Sequence, residues 1–139
     1  MNIKILISKS ILILLFLLPI NSYALDSLGS NIIVGKWTEI KERNECAETY
    51  EFTKGDIAYS YSGKQITESR YIISNNPTHK GFYKLRDEII KDTGGNDCSG
   101  TNANLVGSVA KTFIYFKNND LYICFSQSKS DCFGPLRKE

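Results

Sequence analysis

The sequence holds one histidine, His79, and one tryptophan, Trp37. A single imidazole cannot supply a multi-histidine metal centre, and a catalytic histidine needs both a nucleophile and an orienting partner. His79 lies between Pro77 and Gly81, a turn-like setting that reads as an exposed loop. Absent as well are a glycine–serine elbow, a histidine–glutamate zinc motif and a phosphate-binding loop. Paired C-x-x-C metal ligands are missing too, because the nearest cysteines, Cys124 and Cys132, are eight residues apart. The chain is therefore expected to be non-catalytic, with no metal and no cofactor, although spacing alone leaves carboxylate pairs open as acid–base groups.

Long apolar runs are scarce, and the main one is at the start. Met1 to Ser10 carries Lys4 and Lys9 and no acid, Ile11 to Ile20 is apolar apart from Pro19, and Asn21-Ser22-Tyr23-Ala24 follows. A basic end, an apolar core and a small-residue exit are the parts of a secretory signal peptide, here residues 1–24. An apolar core of about 10 residues falls short of the roughly 20 needed to span a bilayer, which argues against a stable membrane anchor after cleavage. No cysteine precedes Cys46, so none adjoins the cut to carry a lipid. The expected location is periplasmic or secreted, with residues 25–139 forming one domain.

Excess charge is also missing. Of the 17 basic residues two belong to the leader, which leaves 15 against 15 acids. No clustered basic stripe remains, and nucleic acid is excluded as the expected partner. The acids Glu39, Glu42, Glu45, Glu48 and Glu51 recur at every third position beside Lys36, Lys41 and Arg43. They read as a solvated, mixed-charge surface near a turn.

What is present is an even set of cysteines, Cys46, Cys98, Cys124 and Cys132, in the exported part. That pattern reads as two disulfides. Three pairings are possible. The short polar segment between Cys124 and Cys132 favours that pair, with Cys46 bonded to Cys98, and the sequence leaves the choice open.

The remainder alternates as strands do. Ile32 to Lys41 opens the series after a polar leader. Cys46, Glu48, Tyr50 and Phe52 share one face of the next strand. Ile57, Tyr59 and Tyr61 alternate with Ala58, Ser60 and Ser62, and Thr67, Ser69, Tyr71 and Ile73 alternate with Glu68, Arg70 and Ile72. Gly81 to Ile90 fits strand or helix, and its neighbours favour strand. Asp92 to Asn104 is a glycine- and asparagine-rich loop that reads as disulfide-pinned surface. Lys111 to Lys117 and Leu121 to Ser126 form a hairpin, and Asp131 to Leu136 makes an edge strand. The prediction is an all-β fold, an antiparallel up-and-down meander or small eight-stranded barrel. Most aromatics should fill its core, while Tyr59, Tyr61, Tyr71 and Tyr115 are candidates for a polar-tipped ligand pocket.

Gly35-x-Trp37 followed by consecutive strands resembles the lipocalin-like (calycin) barrels. The resemblance implies that Gly35 lets the first strand bend inward and that Trp37 plugs the closed end. It also implies a basic residue from the last strand over the indole, for which Arg137 is the candidate. Cys46-x-Glu48-x-Tyr50-Glu51-Phe52, Asp97-Cys98-Ser99-Gly100 and Cys132-Phe133-Gly134-Pro135 look like a group of small exported proteobacterial proteins of unassigned function. Two functional expectations follow. One is an exported lipocalin-like protein that binds a small apolar ligand. The other is an inhibitor or immunity-type module that binds another exported protein.

Overall fold

Alternation is most regular in the strand Gln65–Ile73, where Gln65, Thr67, Ser69, Tyr71 and Ile73 are buried and Ile66, Arg70 and Ile72 are exposed. Such a period-2 pattern gives a strand one core face and one solvent face. The computed structural model, which describes residues 28–43 and 45–139, repeats that arrangement around a closed barrel. The proposed signal peptide lies outside the described residues.

The elements are α1 (Leu28–Ile33), β1 (Gly35–Glu39), β2 (Thr49–Phe52), β3 (Ile57–Ser62), β4 (Gln65–Ile73), β5 (Tyr83–Asp92), β6 (Val109–Lys117), β7 (Asp120–Cys124) and β8 (Cys132–Lys138). Each strand pairs antiparallel with the next, and β8 returns to β1 to close the ring. Closure leaves no open edge along the meander. Cys124 faces Cys132 across the β7–β8 pair and bonds to it, and Cys46 bonds to Cys98. The ambiguous segment after Gly81 is strand.

The chain departs from the sequence expectation at the start. Ile32 and Ile33 end a short helix instead of opening a strand. Ile33 is fully buried, and its carbonyl accepts a 2.7 Å hydrogen bond from the Trp37 indole N–H. The helical turn thus closes the barrel end that Trp37 fills. Tyr71, Ile114, Leu121 and Leu136 complete the core around it. Each fully buried aliphatic side chain contributes roughly 1.5–3 kcal/mol relative to exposure.

Two bulges set the parity of the strands. On β5 the register shifts where Ser69 pairs with Ile89 and Glu68 with Lys91. On β8 it shifts between Ile123↔Phe133 and Leu121↔Leu136, which places one extra residue at Gly134–Pro135. An extra residue reverses which side chains face inward beyond it. Phe133, Leu136 and Lys138 therefore share the inner side, and Arg137 faces out.

That reversal corrects the expected partner of Trp37. Arg137 lies opposite Thr38 and reaches Asp120 at 3.4 Å. Lys138, opposite Trp37, places its Nζ 5.2 Å from the centre of the indole. Gly35, at φ +133°, makes this possible: a Cβ there would meet Lys138 Cε at 2.5 Å.

The long loop after β5 folds back over the opposite end. Asp92 accepts hydrogen bonds from Gly94 N–H, Leu105 N–H and Gln65 Nε2, each at 2.8 Å. Asn96 carbonyl accepts from Lys64 N–H at 2.8 Å, and a Cβ at Gly63 would lie 2.6 Å from the same oxygen. The Cys46–Cys98 bond holds this loop against the approach to β2.

Candidate ligand cavity

The side chains that fill the Trp37 end do not fill the middle of the barrel. A cavity of about 370 Å³ remains between the core and the end carrying the two disulfides. Phe52, Ala58, Leu85, Ile89, Ile123 and Phe133 give it apolar walls. Ser60, Thr67, Ser69 and Thr112 add hydroxyls, and Glu48 and Asp87 add carboxylates. Phe125, also in the lining, is 67% exposed and stands at the mouth.

The polar groups are positioned from several strands. Glu48, just before β2, accepts the Tyr50 hydroxyl at 2.6 Å with one oxygen and the Ser62 hydroxyl at 2.9 Å with the other. Ser62 in turn accepts the Cys98 N–H at 3.0 Å. The disulfide-tethered loop thus orients the serine that orients the carboxylate. Burial first, then the hydrogen bond to Glu48, pushes the Tyr50 phenol far above its ordinary value, so Tyr50 stays protonated and donates to Glu48. On β5, burial raises the carboxyl of Asp87, against the Ser69 hydroxyl and Arg86, which pull it down.

Of the four tyrosines expected to line a pocket, Tyr59 alone contributes to this lining. It does so from the β3 position that alternates with Ala58. Tyr61 points out toward Glu51, 3.4 Å from its hydroxyl. Tyr71 is in the core; its hydroxyl donates to Thr53 carbonyl at 2.7 Å, and burial pushes its phenol up to about 12. Tyr115 packs on the outer wall against Phe82 and Tyr122, with Lys129 over its ring.

The tyrosine that does enter the cavity is Tyr50. Its signal was the shared face of Glu48, Tyr50 and Phe52. The every-third-residue acidic series obscured it, by grouping Glu48 with solvated carboxylates. Among the described residues, no three His, Cys, Asp or Glu side chains converge as a metal site requires.

A second concavity lies on the outer wall. Ile72, 67% exposed, and Phe113 form its apolar floor, with Lys84, Arg86 and Lys111 around them. The register rows Ile72–Arg86–Lys111 and Lys84–Phe113 put these side chains on adjacent strands.

No family model, no curated protein and no solved structure matches this chain.

Proposed function

We propose that this protein acts outside the cytoplasm as a lipocalin-like carrier, holding a small, largely apolar molecule inside the barrel without transforming it. The observation that carries this reading is the unfilled volume of about 370 Å³ in the barrel interior. Interiors are normally packed to crystal density, and a cavity of this size with apolar walls and a few convergent polar groups has the makings of a ligand site. The sealed end, with Gly35, Trp37 and Lys138 in contact, supports a one-mouthed container. The two disulfides suit an oxidising compartment.

The test is binding of a neutral fluorescent probe, N-phenyl-1-naphthylamine, to the protein and to Ala110→Trp, which adds an indole at the exposed rim of the cavity, opposite Asp87. Saturable binding that the variant loses supports the reading. Binding of equal strength to both proteins places the probe elsewhere and sinks it.

The outer concavity favours a second reading, recognition of another exported protein. Ile72 and Phe113 would meet an apolar anchor, and the three cations an acidic rim. A photo-crosslinker at position 72 should then give one discrete adduct in extracts of the source cell. Lys84→Glu with Lys111→Glu should abolish it.

A further inference from the structure

The cavity is polarised in one sense. Among the described residues, the ionisable chains that line it besides tyrosines are the carboxylates Glu48 and Asp87, with no lysine, arginine or histidine in its wall. They come from β5 and the approach to β2, with β3 and β4 between, so they address the lumen from separate parts of the ring.

The hydrogen bonds around Glu48 sharpen the point. Tyr50 donates to Glu48 Oε2 and Ser62 to Oε1, since a carboxylate can only accept, and Ser62 itself accepts from the Cys98 N–H. The Tyr50 oxygen can then only accept from a ligand, and each carboxylate oxygen keeps a further lone pair. Around Glu48 a ligand therefore meets acceptors, and a group seated there must bring donors. Two carboxylates facing one cavity disfavour each other's charge, and a bound cation offsets that repulsion.

We infer that the ligand is a small amphipathic amine, its ammonium held between Glu48 and Asp87 and its aromatic or branched aliphatic body against Phe52, Leu85, Ile123 and Phe133. This rests on the carrier reading and narrows it: the ligand carries a positive charge, and the two carboxylates disfavour fatty acids and other anions. The volume, near the lower end of small-molecule sites, limits the body to about two or three rings.

Three compounds of nearly one shape separate charge from shape: 2-phenylethylamine, 2-phenylethanol and phenylacetate. Calorimetry at neutral pH should show the amine binding at least about tenfold tighter than the alcohol, the order expected of a partly desolvated ion pair. Phenylacetate should not bind. Asp87→Asn should erase most of the amine's advantage over the alcohol. Glu48→Gln should do the same, and Asp87→Asn keeps the test intact should Glu48→Gln disturb the Tyr50–Ser62 network. If the naphthyl probe occupies the cavity but the amine binds no better than the alcohol, or phenylacetate binds best, the charge inference is wrong and the carrier reading survives. If neither the probe nor any of the three binds, the carrier reading fails, and this inference with it.

Discussion

Lys138 lies over the face of Trp37, its Nζ 5.2 Å from the indole centre, with its stem against Gly35. The neighbouring Arg137 points the other way, to an exposed pair with Asp120. Lys138→Ala should cost about 0.5–2 kcal/mol through the lost cation–π contact, whereas Arg137→Ala should cost less than about 1 kcal/mol. Urea unfolding of the two variants checks the order, and an Arg137 effect larger than the Lys138 effect contradicts the assignment.

Trp37 is 3% exposed, and its N–H is bonded to Ile33 carbonyl. Its fluorescence should be blue-shifted and resistant to iodide quenching. Trp37→Phe keeps much of the apolar area but strands a buried carbonyl, with an expected loss of about 1–3 kcal/mol. Removing residues 28–33 should expose the ring and shift its emission to the red.

The disulfides should differ in worth. Cys46–Cys98 spans 52 residues and Cys124–Cys132 spans 8. On loop-closure entropy, replacing the longer bridge by serines should cost about 1.5 kcal/mol more than replacing the shorter. Mass mapping of the unreduced protein should find no free thiol. In the Cys46→Ser, Cys98→Ser variant, amide exchange should rise first at residues 93–104, whose tether is gone.

Asp87 and Asp97 should respond oppositely to pH. Burial raises the folded carboxyl of Asp87 above its ordinary value. The folded state then holds that proton more tightly than the unfolded one, and stability falls as pH climbs from the ordinary carboxylate range through the raised value. Above that range the penalty is constant. Asp87→Asn should therefore be at least as stable as the parent at neutral pH and lose that advantage in acid. Asp97 is lowered, by Ser99 hydroxyl first and then by backbone N–H groups, Thr101 foremost. It contributes above the ordinary carboxylate value and loses that contribution as pH falls through its lowered one. Unfolding curves across acid to neutral pH, on the parent, Asp87→Asn and Asp97→Asn, give the two signs separately.

Strand positions were largely legible because the alternation that marks a strand is local. Ile57 to Ser62 and the Tyr71 strand were placed by their two-residue period, and the Asn118–Asp120 hairpin by its turn residues. The helix at Leu28–Ile33 was not, since six residues give too little periodicity and Ile32 and Ile33 suit a strand equally well. The cavity was legible in one fragment only, the common face of Glu48, Tyr50 and Phe52. Nothing local says that Asp87, on β5, shares its space.

By itself, then, the sequence determined an all-β chain, most of its strand and turn positions and a cysteine set suited to two bridges, because each depends on residues near one another. Tertiary structure decided closure, which end is sealed, and which basic residue covers Trp37. The physical reason is parity: one extra residue at Gly134–Pro135 turns Lys138 inward and Arg137 outward. It also decided that Tyr50, rather than Tyr61 or Tyr115, enters the lumen, since a ring's direction depends on which strand face the closed barrel encloses.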